Sequence, residues 1–364
     1  MKTLTLLAAG YDHPDLAEQK KIEDADRGPR QSLYGYTLNS TLLNERYMSG
    51  VPRLRRILYR PLPVWTAQVI EAFLLRKKYD AILSWDARLG LMFAALMKLT
   101  GARVPHMVMF SWISRPKKAM VLRLVSTHID RMFVWSSVQR DFLLERMRIP
   151  PVKVVFCSGR VDQKFFRPME RETDMICSVG REMRDYATLI RAIRDLNLPC
   201  HIAVSEIPGV RDAWRTEIER EGALPAHITV GNRNYSDLRE LYARSKFVVT
   251  PLIPTDTDNG ITSLLEAMAM GKAVICTRTE GQRDIVSDGV NGILVPPFDV
   301  PALRNAIERL LAHPEEAARM GKAGRQFVER SHNLDLFVET VRSSTEQAIA
   351  SCRQEMQQRT HTSR

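Results

Sequence analysis

Between Thr255 and Thr277 the chain reads TDTDNGITSLLEAMAMGKAVICT, which brings several chemistry-bearing groups close together. Asp256 and Asp258 place two carboxylates in a loop. Asn259-Gly260-Ile261-Thr262 is a small-residue turn that opens a helix, and Glu266 lies about one turn into that helix. A loop feeding a helix N-terminus points several backbone N–H groups at one spot, with the positive end of the helix dipole behind them. That arrangement receives an anion, and phosphate is the commonest guest. Asp258 and Glu266 flank the spot without occupying it, so they can hold hydroxyls beside a phosphate. A nucleotide sugar has that layout of groups.

The elements around this stretch must hold it in place. Gly271 stops the helix, and Ala273 to Cys276 reads as the next buried parallel strand. Upstream, strands are expected at the start of the chain, at Asp80–Ser84, Val104–Phe110, Met132–Trp135 and Val152–Cys157. Helices are expected at Trp65–Lys78, Ala87–Leu99, Arg115–Thr127 and Val138–Arg146. Tyr11–Arg30 is polar and reads as a loop. The charged connector around Asp162–Asp174 breaks the rhythm, which then restarts. Strands at Met175–Val179, His201–Ser205, His227–Val230 and Phe247–Leu252 alternate with helices at Tyr186–Leu196, Asp212–Glu221 and Ser236–Ala243. Helices follow at Leu303–Ala312, Pro314–Glu329 and Leu334–Ser351. Such alternation predicts an α/β chain of two doubly wound, Rossmann-like domains in tandem, each with a parallel sheet covered on both faces. The expected division is 1–168 and 169–333, with the helix 334–351 packing back on the first domain and 352–364 a polar tail.

A chain of 364 residues can build two cores of ordinary size, and the 45% hydrophobic and 26% charged content is that of a soluble globular enzyme. Five widely spaced cysteines without a CxxC pair argue against a disulfide scaffold or structural zinc, and place the thiols in a core in a reducing, cytoplasmic setting. MKTLTLLAAG reads as a buried first strand rather than a signal peptide, because its apolar run is short and no cleavage pattern follows. The net charge of +11 is unevenly spread. Residues 1–168 hold 28 Lys and Arg against 14 Asp and Glu, whereas the remainder holds 25 against 28. Arg53, Arg55, Arg56, Arg60 and the run Arg103–Arg123 carry much of the excess. A basic face of this kind suits an anionic membrane surface, lipid or glycan; nucleic acid is excluded as a partner by the lack of any binding motif. No serine-hydrolase elbow or HExxH zinc motif is present.

From residue 150 onward the sequence resembles the retaining, GT-B-fold glycosyltransferases of family four (group 1 type). Val154 to Asp162 with Phe165, Phe166 and Pro168 is similar to the family's linker block. Ser178-Val179-Gly180-Arg181 through Tyr186 is similar to its donor-phosphate block, and Tyr235–Leu252 to the block before the motif. DNGITSLLEAMAMGKAVICT corresponds to the E-x7-E motif, and Asp288 to Pro296 to the turn after it. The N-terminal half shares only the strand–helix rhythm.

The resemblance implies a GT-B architecture, with the two domains facing a central cleft, and a metal-independent hexosyl transfer from a UDP- or GDP-sugar, with no cofactor. In it, Arg181 and Arg184 neutralise the diphosphate of the donor. The turn Asn259, Gly260, Ile261 and Thr262 contacts sugar and phosphate oxygens. Glu266 holds the ribose hydroxyls. Asp258 stands where the family has Glu and meets the transferred sugar, which makes Asp258, Arg181 and Arg184 the candidate catalytic residues. Asp256-Thr257-Asp258 also spells the DxD metal motif of another glycosyltransferase fold, but two arginines and a helix N-terminus already supply the positive charge here, so no metal is expected. On the acceptor side stand Gly10, alone where many members carry a Gly-rich loop, Asp86 after a strand end, and Trp112 in a turn that could stack on an acceptor. The acceptor would be a lipid-linked species, a glycan or a small molecule in cell-envelope glycan synthesis. The protein would then be cytoplasmic and peripheral at the inner membrane face. Two other readings remain open: a sugar-nucleotide epimerase, and a catalytically weak nucleotide-sugar-binding scaffold.

Overall fold

A computed structural model describes residues 1–8, 16–30, 40–157, 159–205 and 213–362. The chain divides into two compact units. Unit one comprises Met1–Gln19, Gln31–Cys157 and Phe337–Arg364, and unit two comprises Lys20–Arg30 and Ser158–Leu336.

The first part of the chain runs β1 (Thr3–Leu6), α1 (Leu16–Asp24), β2 (Ser40–Leu43), α2 (Glu45–Ser49), α3 (Arg53–Tyr59), α4 (Val64–Leu75), β3 (Ala81–Ser84), α5 (Ala87–Thr100), β4 (His106–Phe110), α6 (Pro116–Val125), β5 (Arg131–Val134), α7 (Ser137–Asp141) and β6 (Val154–Phe156). Its six strands form one parallel sheet in the order β2-β1-β3-β4-β5-β6. Strands β3, β4 and β5 are buried along their whole length, as a parallel sheet covered on both faces requires. One face packs Leu91, Phe110 and Leu122 around Val108 and Val134. Helix α5 lies so close to that face that a Cβ at Gly90 would come within 2.5 Å of Val108. The opening MKTLTLLAAG holds a strand, β1, with all four residues buried.

The second part runs β7 (Met175–Val179), α8 (Tyr186–Ile193), β8 (Cys200–Ala203), α9 (Ala213–Arg220), β9 (Ile228–Gly231), α10 (Tyr235–Arg244), β10 (Ser245–Thr250), α11 (Ile261–Ala269), β11 (Val274–Thr277), β12 (Gly292–Val295), α12 (Val300–Ala312), α13 (Pro314–Ser331) and α14 (Leu334–Thr362). Here too all pairings are parallel, in the order β12-β11-β10-β7-β8-β9. Strand order reverses between β7 and β10, and loops leaving the carboxyl ends of two such strands enclose the usual ligand crevice of a doubly wound sheet. Most of α14 belongs to unit one, where Phe337, Val341, Ala348 and Ile349 share a core with Met107, Met109 and Phe133.

Two local expectations differ from the structure, and three elements had none. Residues 16–24, within the stretch read as a loop, form α1, because LAEQKKIED consists almost entirely of good helix formers. The edge strand β2 and the short helices α2 and α3 carried no clear period, since β2 is half-exposed and neither helix buries a side chain. Helix α14 continues through the polar tail to Thr362, past the expected end at Ser351, again on Arg, Gln, Glu and Met, which favour helix. All five cysteines are buried free thiols.

Candidate functional site

At the reversal point of the second sheet, the loop leaving β7 meets the loop leaving β10. Gly180 follows β7 with φ +123, a conformation that side chains disfavour, and a Cβ there would come within 2.1 Å of Arg184 Nη2. Its lack of a side chain lets the Arg184 guanidinium lie flat against the loop. Met183 is also left-handed, at φ +50, which turns the chain so that Arg184 bridges Leu252 after β10. Asp185 then caps α8 by accepting from Thr188 N at 3.1 Å.

Arg184 is 6% exposed. Its Nε donates to Val179 O at 3.1 Å, Nη1 to Glu182 O at 2.7 Å, and Nη2 to Ser263 Oγ at 3.2 Å. Ser263 sits in the first turn of α11 and donates its own hydroxyl proton to Gly260 O at 3.0 Å. A fixed guanidinium is therefore joined to a helix N-terminus, and both are sources of positive potential. Gly260 starts the helix at φ +86, with Thr250 and Leu252 3.0 Å from where a Cβ would stand. The N–H groups of Thr262 and Ser263 precede the first intrahelical bond, made by Leu264 N to Gly260 O at 3.0 Å, and so have no acceptor within the helix.

One turn along, Glu266 is 7% exposed and accepts from Tyr242 Oη at 2.9 Å. Burial raises its carboxyl to about 7, against the opposing hydrogen bond from Tyr242. Asp258 keeps some contact with solvent but is sunk among protein atoms. Burial raises its pKa and the charge of Asp284 adds to the effect, while the Thr257 hydroxyl, 3.0 Å away, opposes it. Asn259 donates to Thr255 Oγ1 at 2.7 Å and its carbonyl accepts from Gln282 Nε2 at 2.9 Å. Gly281 lies against the backbone of Thr257, at a distance that excludes any side chain. Arg181 is half-buried, with Nη2 3.8 Å from Glu182 Oε1.

Of the residues chosen from sequence, Arg184, Gly260 and Glu266 are thus drawn to one helix start. Thr262 is exposed there, whereas the Ile261 N–H donates to Asp258 O at 3.2 Å and its side chain packs toward Gly159. Sequence reasoning passed over Ser263, Tyr242, Gly281 and Gln282. Ser263 could have been found as the third residue of the helix, and Tyr242 lies within the Tyr235–Leu252 block but was given no role; Gly281 and Gln282 gave no local signal, because their partners are far away in the chain.

In unit one, Asp86 is the N-cap of α5, its Oδ1 accepting from Arg88 N at 2.8 Å and Leu89 N at 3.1 Å. Trp112 has φ +50 and lies beneath the Arg115 guanidinium, 3.8 Å from the ring centre. Lys118 donates to Ser111 O at 3.1 Å; burial lowers its pKa, and Asp86, Arg115 and Arg88 all act on it. Asp86 and Trp112 therefore border one cationic corner at the carboxyl ends of β3 and β4. Gly10 lies outside the described residues. His106 is a core residue, its Nε2 3.0 Å from Ser84 Oγ. Among the described residues no three His, Cys, Asp or Glu side chains group as a metal site needs, and no helix is long and apolar enough to cross a membrane.

Two doubly wound sheets, with a cationic helix start at the reversal point of the second, define the GT-B class of fold. Residues 161–327 match the family described as glycosyl transferases group 1. The alpha-D-kanosaminyltransferase of Streptomyces kanamyceticus is 39% identical over 59 residues, 16% of this chain and 15% of that protein. The MMP alpha-(1->4)-mannosyltransferase of Mycolicibacterium hassiacum is 24% identical over 209 residues, 56% of this chain and 50% of that one. The matches thus span half or less of these relatives. Among solved structures, HepE of Anabaena in complex with UDP-glucose superposes with a TM-score of 0.70 at 15% identity, over 95% of this chain and all of its own. That likeness establishes the shared fold.

Proposed function

We propose that the protein is a metal-independent retaining glycosyltransferase, moving a hexosyl group from a UDP- or GDP-sugar to a lipid-linked, glycan or small-molecule acceptor. The observation that carries this reading is the Arg184 guanidinium bonded to the first turn of α11, with Glu266 one turn further on. Glycosyl transfer breaks the bond between the anomeric carbon and the diphosphate oxygen and leaves a nucleoside diphosphate. Arg184, the N–H groups at the start of α11 and Arg181 stabilise that leaving charge where a metal would otherwise be needed. The buried Glu266 holds ribose hydroxyls, and Asp258 meets the hydroxyls of the sugar. The relatives named above are glycosyltransferases, and HepE was solved with a nucleotide sugar, which supports the same class of co-substrate here. The positive excess of residues 1–168 favours an anionic acceptor and a place at the inner face of the membrane.

The test is a thermal-shift series with UDP-glucose and GDP-mannose on the wild type and on Glu266→Ala. A shift produced by one donor and lost in the variant is expected; a shift that survives in Glu266→Ala overturns the assignment. Labelled donor incubated without acceptor then separates transfer from epimerisation, since only an epimerase converts it to an isomeric sugar nucleotide.

A further inference from the structure

We propose that unit one carries a docking site for a phosphate-bearing membrane lipid, in the pocket bordered by α2, α3 and the start of α4. The lipid's aliphatic chain would lie among apolar side chains and its phosphate on arginines. This deepens the acceptor-side reading above and rests on it.

Helix α3 is turned inside out. It buries no side chain, and Leu54, Ile57 and Leu58 are 73%, 68% and 63% exposed. What faces α4 is polar: Arg55 Nη1 and Tyr59 Oη each lie 2.7 Å from one of the two carboxylate oxygens of Glu71, a residue 1% exposed. A buried carboxylate therefore fixes the helix with its apolar ridge, at spacings of three and four residues, pointing outward. Beside that ridge runs a second stripe, Arg53, Arg56 and Arg60, all exposed and without a carboxylate partner among the described residues. An outward apolar ridge flanked by cations is the pattern of a helix lying in a lipid headgroup layer.

The pocket beside the helix has a volume of about 560 Å³; Tyr59, Ala67 and the three arginines line it with Met48, Val51, Leu62 and Val64, and of the outward ridge Ile57 alone reaches it, Leu54 and Leu58 standing outside its mouth. That volume falls within the range of small-ligand sites, roughly 300–1,000 Å³. Its place is also telling. Gln68 of α4 donates through Nε2 to Leu7 O at 2.9 Å and to Leu43 O at 3.3 Å, which ties α4 to the carboxyl ends of β1 and β2. Doubly wound sheets bind ligands at that end. A soluble glycan would leave the apolar ridge in water and a neutral lipid would leave the arginines unpaired, whereas a phospholipid answers both.

The test is co-sedimentation of the full chain with vesicles of phosphatidylcholine alone and of phosphatidylcholine mixed equally with phosphatidylglycerol. Two triple variants on exposed positions accompany it: Arg53→Gln/Arg56→Gln/Arg60→Gln and Leu54→Gln/Ile57→Gln/Leu58→Gln. The wild type is expected to prefer the mixed vesicles. The arginine variant should lose that preference by on the order of a hundredfold, and the apolar variant should lose binding to both. Three results would overturn the proposal: no preference in the wild type, binding unchanged in the apolar variant, or binding abolished only by Lys117→Gln/Lys118→Gln/Arg123→Gln on α6. The donor thermal shift is measured on the same preparations. If it is intact while lipid binding fails, only the docking site falls. If it is absent from the wild type, the transfer reading falls, and the vesicle result stands by itself.

Discussion

Burial lifts the Glu266 carboxyl from its ordinary 4.5 to about 7, so the folded protein without donor favours the neutral acid more than the unfolded chain does. The stability this confers is complete below the ordinary value and is lost as pH rises through about 7. Between about pH 5 and about pH 8 the melting temperature of the wild type should therefore fall relative to that of Glu266→Gln, which differential scanning fluorimetry will read. A donor whose ribose hydroxyls bind the carboxylate pulls the other way, so the donor-induced shift should grow across the same interval. Gly180 offers a second residue-scale test. Because its φ is +123 and Arg184 Nη2 would lie 2.1 Å from an added Cβ, Gly180→Ala must displace the guanidinium. A loss of roughly 1–3 kcal/mol by urea denaturation is expected, together with loss of the donor shift. Arg184→Ala should lower turnover by roughly 100- to 1,000-fold, the effect of removing one preorganised donor to a developing negative charge.

At the scale of elements, the start of α11 depends on its neighbours as much as on its own residues. The loop before it is propped by the segment 279–282: Gln282 holds the Asn259 carbonyl, Gly281 N donates to Thr255 O at 2.9 Å, and Gly281 gives the Thr257 backbone the room it needs. The start of α5 is different in kind. Asp86 uses its carboxylate to cap two N–H groups of that helix, so Asp86→Ala should cost about 1 kcal/mol of stability and leave the donor shift of unit two untouched. Steady-state kinetics with a competent acceptor would then tell a cap from an acceptor contact: a pure cap leaves the acceptor KM unchanged.

At the scale of the whole molecule, a piece of the N-terminal sequence belongs to unit two. Lys20–Arg30 is held there by Arg30, whose Nη2 lies 2.8 Å from Asp162 Oδ1 and whose Nη1 lies 2.7 Å from Asp335 Oδ1. Asp26 is bracketed by Arg167 and Arg239, and their hydrogen bonds hold its carboxyl far below the usual range. The contribution of that pairing is present above the ordinary value of 3.8 and is lost only in strong acid. Asp162 has a side chain only 2% exposed, so Arg30→Ala leaves a buried carboxylate with the backbone N–H groups of residues 30 and 164 but without its guanidinium, and should cost about 3 kcal/mol by denaturant titration. The charge asymmetry is likewise a property of the whole chain, because the acidic excess after residue 168 sets the half that matches the glycosyl transferase family apart from the basic half that bears α3.

The alternation of buried strands and helices, the Gly260 turn and the two carboxylates Asp258 and Glu266 on either side of it could be read from the sequence, because each is written in neighbouring residues as a period, a turn or a spacing; Arg184 was picked out only by the resemblance of its segment to a family block. The loop reading of residues 16–24 failed for a related reason: a short polar stretch has no apolar stripe to mark it, and helix propensity decided. Tertiary structure alone joined Arg184 to Ser263, 79 residues away, and Glu266 to Tyr242, 24 residues away. It also turned the apolar ridge of α3 outward by placing Glu71 beneath Arg55 and Tyr59. A linear pattern records which side chains avoid water, but not which distant partner a buried polar group will find. Hydrogen bonds and ion pairs between remote segments exist only once the sheets have fixed where those segments lie.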